Sequence, residues 1–178
     1  VQNTVWVKQD YFFIIKFNRP VASHITLNKA ADTEKGDRIV ATFDGIEQGE
    51  QLLMKIAMST TSVDGAKKNL YTEVPYWDFA AVKQSANNEW NKYLKRIDIE
   101  GTDDQKKNFY TSFYHALIQP NQIADVDGMY RNAADKIVKA ENGVFYSTFS
   151  CWDTYRAAHP FYTIVMPDRV DAMVSSLV

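Results

Sequence analysis

Residues 145–160, FYSTFSCWDTYRAAHP, form the stretch around which the rest of the sequence is organised. A strand-like apolar run is followed by a turn of small residues and then by a helical pattern. Within five consecutive positions, Trp152, Asp153 and Arg156 bring together an indole, a carboxylate and a guanidinium. An indole offers a flat apolar surface to the C–H face of a sugar, while the two charged groups form directional hydrogen bonds. These three residues are the candidate binding residues.

The same residues also have a purely structural interpretation. Ser150 and Asp153 fit the S-x-x-D capping pattern of a helix start, where an acidic residue suits the helix dipole. Trp152 would then belong to the core, and Arg156 would pair with Asp153 across one helical turn. On the pattern alone this interpretation has the stronger support, because capping signatures are common.

Strand-like segments precede residue 60. Val5–Pro20 is rich in aromatic and β-branched residues, and Val21–Leu27 predicts a further strand. Residues 38–43 and 51–59 are separated by two glycine-containing turn signals, which predict a hairpin between them. The second of these segments alternates so that one face is heavily apolar, as expected for the covered side of a sandwich strand. The region therefore predicts part of an antiparallel β-sandwich.

Helical periodicity replaces this pattern after residue 60. Three helix starts carry capping residues: Ser62, Asp78 and the capping box Thr102/Gln105. Pro160 should kink or restart the helix that follows Trp152, and Pro167 favours a new helix start. The chain is therefore predicted to be α+β, with strands first and helices after them.

Composition limits the classes of function. The 178 residues have a net charge of −2 and no basic stripe or acidic run, which argues against nucleic acid or an anionic membrane surface as a partner. No apolar run is long enough to predict a membrane span. Because Cys151 is the single cysteine, an internal disulfide and a cysteine-based metal site are excluded.

Carboxylates are the candidates for acid–base chemistry, but none stands in a motif that identifies an acid–base pair. The candidates are Glu73, Asp125, Asp127 and Asp153. The run DVDG at 125–128 invites a calcium interpretation. An EF-hand loop requires Gly at its sixth position and Glu at its twelfth, where this chain has Tyr130 and Lys136. The EF-hand interpretation therefore fails, and a turn is predicted instead.

Residues 146–160 resemble the signature Y-x-x-F-S-x-W-D-T-[FY]-R-x-x-H-P of the glycoside hydrolase family 92 α-mannosidases. Two further blocks of that family occur in the same order, FYTSFYH at 109–115 followed by Pro120, and DVDGMY at 125–130. Earlier positions also fit, namely Ala66, Asn69-Leu70, Glu73, Pro75, Trp90-Asn91 and Leu94. The resemblance covers roughly residues 50 to 178.

The resemblance implies an exo-acting α-mannosidase that inverts the anomeric centre and requires calcium. It also implies an N-terminal β-sandwich, linking helices and a catalytic (α/α) barrel. Residues 1–75 would form the sandwich portion, 76–101 the linking helix, and 102–178 the truncated start of the barrel. By the same resemblance Trp152 and Asp153 are substrate contacts, and Arg156 either contacts the substrate or orients Asp153.

In the family, the catalytic acid, the base and most calcium ligands lie downstream of the W-D-T motif. We therefore expect no catalytic residue and no metal ligand in these residues, and no mannosidase activity of the chain alone. The sequence begins without an initiator Met or signal peptide and ends within a helical pattern. It is expected to be an internal fragment of a bacterial enzyme that is secreted or periplasmic. Its expected partners are a glycan and the remainder of its own polypeptide.

Two alternatives remain. The first is a non-catalytic carbohydrate-binding or interaction module, which exposed Trp and Tyr side chains on a flat sandwich face would favour. The second is a purely structural domain junction.

Overall fold

The computed structural model describes residues 2–3, 8–27, 38–147 and 151–177, with only the backbone described at 2–3 and 8–9. The strands are β1 (Gln2–Asn3), β2 (Lys8–Gln9), β3 (Phe12–Phe17), β4 (Ser23–Leu27), β5 (Arg38–Thr42), β6 (Met54–Ser59), β7 (Met129–Arg131) and β8 (Ile137–Lys139). The helices are α1 (Val63–Glu73), α2 (Phe79–Leu94), α3 (Asp103–Leu117), α4 (Cys151–Thr154), α5 (Ala158–Val165) and α6 (Pro167–Ser175). The mixture of strands and helices confirms the α+β prediction. The predicted order of strands first and helices after them holds only as far as α3, because β7 and β8 lie between α3 and α4.

The described strands form two-stranded antiparallel sheets that pair β1 with β2, β3 with β6, β4 with β5, and β7 with β8. The predicted hairpin between residues 38–43 and 51–59 is therefore wrong. β5 returns along β4, from Ser23 opposite Thr42 to Leu27 opposite Arg38. β6 instead pairs with β3, so one ladder is nested inside the other.

Long-range contacts at the end of β3 explain this pairing. The Asn18 side chain donates to the carbonyl of Gln51 at 3.2 Å and accepts from the Leu53 amide at 2.9 Å. Arg19 forms a 2.6 Å salt bridge with Glu50. These bonds hold the segment before β6 beside β3 and guide β6 back along it. The predicted turns are present, since Gly45 and Gly49 have φ angles of 65° and 93°.

Helix α1 covers one face of the β3–β6 ladder. Its Ala66 and Leu70 are 0% and 2% exposed. The opposite face carries the apolar side chains and lies open in the described part of the chain. Its exposed members are Phe13, Ile15, Met54, Ile56 and Met58. The expectation that this apolar face is covered is thus not met by the described residues, because α1 packs on the other side.

The helical region has its own core between α2, α3, α5 and α6. Its buried members are Tyr93, Phe113, Tyr146, Tyr162, Val165, Met166 and Met173. The predicted caps at Ser62, Asp78 and Thr102 are confirmed, since each accepts a bond from the first turn of the following helix. Arg96, just beyond α2, pairs with Asp168 at 2.9 Å and donates to the Val165 carbonyl.

The segment between α3 and α4 contains the β7–β8 hairpin. Its two ends meet where Gln122 bridges to Tyr146, and the Ser147 amide donates to the Asn121 carbonyl. α5 starts at Ala158 and α6 has Pro167 at its first position, so the predicted restart near Pro160 and the predicted start at Pro167 are confirmed. The beginning of the predicted strand Val5–Pro20 and the Ser150 cap lie outside the described residues. Among the helices described, none has the length and apolar character needed to cross a bilayer.

Candidate functional site

Trp152 and Asp153 are neighbours on the single turn α4, and both are exposed. Trp152 is 85% exposed, so the interpretation of this residue as ordinary core is wrong. Asp153 lies in the first turn of α4, where its charge suits the helix dipole. The turn thus presents an aromatic face and a carboxylate to solvent side by side.

Arg156 follows on the irregular link between α4 and α5. Its Nε donates to the Tyr155 hydroxyl at 2.7 Å, and its guanidinium lies 5.4 Å from the centre of the Tyr155 ring. Within the described residues, Arg156 and Asp153 form no salt bridge. The sequence-based hypothesis that Arg156 pairs with Asp153 is therefore not met, and Tyr155 orients the arginine instead.

His159 contacts both the end of α4 and the helix α5 that follows. Its Nε2 lies 2.8 Å from the Thr154 hydroxyl at the end of α4. Its ring also stacks on Tyr162 of α5, with the ring centres 5.9 Å apart. Because Tyr162 belongs to the core, these contacts connect the exposed turn to the buried part of the helical region.

Asp125 does not behave as an acid–base residue. Asp125 is only 2% exposed, and hydrogen-bond donors from β6, α1 and the link between them surround its carboxylate. Ser59 and Thr61 donate to Oδ2 at 2.8 and 2.6 Å, and Asn69 donates to Oδ1 at 2.8 Å. A carboxylate that is buried and satisfied in this way stabilises the structure and has no access to a substrate.

Asp125 and the residues packed closely around its carboxylate form a group that we call the Asp125 cluster. Its members are Ser59, Thr61, Gly65, Asn69 and Asp125. The Asn69 side chain also accepts from the Val126 amide at 2.9 Å. A Cβ atom at Gly65 would lie 2.5 Å from Asp125 Oδ2, so only glycine fits there. The cluster is not predicted from the sequence, although the run STTS at 59–62 is a signal of clustered hydroxyl groups.

The other candidate carboxylates lie outside this cluster. Asp127 forms a 2.8 Å salt bridge with Lys68. The hydrogen bond from Lys68 lowers the pKa of Asp127 below its usual value, which disfavours a role as a general acid. Glu73 is exposed at the end of α1. Among the described residues no group of three or more His, Cys, Asp or Glu side chains is placed to hold a metal ion.

Comparisons with known proteins agree with the sequence signature. Residues 65–178 match the family model of the glycosyl hydrolase family 92 catalytic domain. No curated protein matches the chain significantly.

Solved structures are similar over most of the chain. The family GH92 inverting mannosidase BT2199 from Bacteroides thetaiotaomicron VPI-5482 is 28% identical, with a TM-score of 0.80 over 93% of this chain. The family GH92 α-mannosidase BT3965 from Bacteroides thetaiotaomicron is 27% identical, with a TM-score of 0.81 over 94% of this chain. The GH92 glycosyl hydrolase ccman5 shares the fold at 22% identity, with a TM-score of 0.78 over 94% of this chain.

These relatives are much longer than the sequence described. The chain spans about a quarter of their length: 24% of BT2199, 24% of BT3965 and 23% of ccman5. The family model nevertheless covers more than half of the chain. The chain therefore belongs to glycosyl hydrolase family 92.

Proposed function

We propose that this chain is part of an inverting exo-α-mannosidase that hydrolyses the glycosidic bonds of α-mannosides in glycans. The observation that carries the proposal is the family match over residues 65–178. It is supported by the likeness to an inverting mannosidase at 28% identity and to an α-mannosidase at 27% identity. Because the chain spans only about 24% of those proteins, the proposal concerns a longer polypeptide of which this chain is a segment.

Within that enzyme, the turn at Trp152 and Asp153 would line the sugar pocket. The exposed carboxylate of Asp153 is suited to accept hydrogen bonds from two neighbouring hydroxyl groups. The exposed indole of Trp152 would cover the C–H face of the ring, which keeps water from competing for those bonds. Arg156, held by Tyr155, would contribute further N–H donors to the substrate.

Inversion requires a general acid on the leaving oxygen and a general base that activates water, roughly 6.5–9.5 Å apart. Asp125 is buried and Asp127 is paired with Lys68, so neither fits these roles. We propose that the remaining polypeptide supplies both groups, and that this chain supplies binding and orientation of the sugar.

Calcium belongs to the same proposal but not to the described residues. A calcium site needs six to eight oxygen ligands, and the most buried carboxylate, Asp125, already accepts bonds from Ser59, Thr61 and Asn69. The described residues therefore do not fit the ion, and its ligands would come from the rest of the enzyme. We further propose the division into a sandwich portion (1–75), a linking helix (76–101) and the start of an (α/α) barrel (102–178), in a secreted or periplasmic enzyme.

A carbohydrate-binding module without catalysis has less support. Such a module would present Trp or Tyr on the open face of the strands. The open β3–β6 face instead carries Phe13 together with Ile and Met side chains. Its composition is that of a surface to be packed against apolar groups rather than against a glycan.

The experiment compares this chain with the longer polypeptide that contains it, using an aryl α-mannoside as substrate and proton NMR to follow the anomeric product. We expect no turnover by the 178-residue chain and β-mannose as the first product of the longer protein. Turnover by the isolated chain would show that it contains the acid and the base. Formation of α-mannose first would contradict the inverting mechanism.

A further inference from the structure

A pocket of about 220 Å³ lies between α2, the end of α3 and α6. It is smaller than the roughly 300–1,000 Å³ of sites for drug-sized ligands, so it suits a ligand of about one ring. Trp90, Tyr93, Tyr146 and Arg169 line it, and Glu89 also lies on its wall. Trp152, Asp153 and Arg156 are not part of this lining. A ligand bound in this pocket would therefore occupy a site separate from the W-D-T turn.

The charged centre of this pocket is Arg169. Its Nε donates to the Tyr93 hydroxyl at 2.6 Å and its Nη1 donates to the Tyr146 hydroxyl at 3.2 Å. The guanidinium also lies 5.2 Å from the centre of the Tyr93 ring. A guanidinium carries five N–H donors, so about three remain after these two bonds. In the part of the chain that the structure describes, Arg169 forms no salt bridge with a carboxylate.

The two tyrosines add further donors at the same place. Tyr93 and Tyr146 are only 8% and 4% exposed. Each hydroxyl accepts a bond from Arg169 and keeps its own O–H to donate, yet no acceptor for either proton lies among the described residues. Buried donors without acceptors are costly and therefore rare in native proteins. The pocket wall thus has an excess of donors over acceptors, next to a positive charge.

We propose that this pocket binds a small carboxylate, with a hexuronic acid as the ligand class that fits best. The ligand carboxylate would accept from the Arg169 fork and from the phenol protons of Tyr93 and Tyr146. The sugar ring would lie against Trp90, whose indole packs 4.4 Å from the ring of Tyr114 and is held in place by it. A neutral hexose would leave the donor excess only partly satisfied. The negative charge of Glu89 on the pocket wall would repel the ligand carboxylate.

Calorimetric titration of the longer polypeptide that contains these residues, with D-glucuronate and with D-glucose as the neutral control of matched size, tests the proposal. We expect saturable binding of glucuronate at least tenfold tighter than that of glucose, because the charged bonds distinguish the two sugars. Equal binding of the two sugars, or binding of neither, would overturn the proposal.

Variants locate the binding in this pocket. Arg169→Lys keeps the charge but loses the forked geometry, and we expect about a tenfold loss of glucuronate affinity. Because Arg169 also holds two tyrosines, Tyr146→Phe provides a second variant that removes one donor and keeps the ring; it should weaken binding severalfold. Tyr110→Phe is the matched control, since its hydroxyl bonds the Ile97 carbonyl outside the pocket lining. Its affinity should be unchanged.

Glu89→Gln tests the sign of the charge effect. We expect tighter glucuronate binding, because the substitution removes a repelling carboxylate. Weaker glucuronate binding would contradict the orientation proposed for the ligand, in which the carboxylate lies close enough to Glu89 to be repelled by it. Trp152→Ala should leave glucuronate affinity unchanged, and a loss of binding in this variant would place the ligand at the W-D-T turn and overturn the proposal.

Discussion

Asp125 joins parts of the chain that are far apart in sequence. It accepts bonds from Ser59, Thr61 and Asn69, which lie between 56 and 66 positions earlier. Through these bonds the junction of β6 and α1 holds the loop that leads to the β7–β8 hairpin. Because the returning end of this segment pairs with Gln122 at Tyr146, the cluster also fixes the approach to the W-D-T turn.

Removal of this carboxylate should therefore be costly. We expect Asp125→Ala to lower the free energy of unfolding by about 3 kcal/mol, since it leaves several buried donors without an acceptor. Urea unfolding followed by circular dichroism measures the change. Asp127→Ala is the control, and it should have little effect because the Asp127–Lys68 pair is exposed to solvent. Equal losses in the two variants would contradict the assigned role of Asp125.

The structural role of Asp125 could not be predicted from the sequence. Its donors come from a strand end and a helix that only tertiary packing brings near, whereas the DVDG run to which Asp125 belongs predicts only a turn. For Trp152 the sequence leaves a sugar contact and a place in the core both open, because an amphipathic pattern does not show which side of a short turn meets solvent. Asp153 and Arg156 were predicted to pair, but the choice of Tyr155 as the partner of Arg156 depends on rotamers.

At the scale of elements, the sequence predicts correctly where helices begin but not which strands pair. Ser62, Asp78 and Thr102 were predicted as caps, and each accepts the expected backbone bond, because a cap involves only residues within three positions. The partner of β6 was predicted wrongly. Its pairing with β3 depends on bonds from Asn18 to residues more than thirty positions away, which no local pattern contains.

The contact between α5 and α3 offers an element-scale prediction. The Tyr162 hydroxyl donates to the carbonyls of Ala116 and Gln119, both at 3.0 Å. We expect Tyr162→Phe to cost about 1–2 kcal/mol at neutral pH, because two partly buried carbonyls lose their donor. Tyr130→Phe is the control, since Tyr130 stacks on Phe145 and its ring would be kept.

The same variant has a defined pH dependence. Burial raises the pKa of Tyr162 above its ordinary value of 10.0, so the folded state favours the neutral phenol. This contribution to stability is present below the unfolded-state pKa and is lost as the pH rises through the folded-state pKa. The difference between the parent chain and Tyr162→Phe, measured by urea unfolding, should therefore shrink above about pH 10. A difference that grows with pH would contradict the assignment.

At the scale of the whole molecule, two apolar surfaces lie open in the described part of the chain. One is the β3–β6 face opposite α1. The other is a groove of about 350 Å³ between α5 and α6, bordered by His159, Val174 and Leu177. Open apolar surfaces of this kind are typical of interaction sites. They accord with our proposal that the chain packs against further segments of a longer mannosidase.

Our central proposal is that this chain supplies sugar-binding residues to an α-mannosidase. The most direct measurement is kcat/KM for an aryl α-mannoside in the longer polypeptide that contains these residues, comparing Asp153→Asn with Asp171→Asn. Both residues are exposed aspartates of the same helical region, but only Asp153 lies on the W-D-T turn. We predict about a 100-fold loss for Asp153→Asn, from two charged hydrogen bonds to the sugar, and no change for Asp171→Asn. An unchanged kcat/KM in Asp153→Asn would contradict the claim.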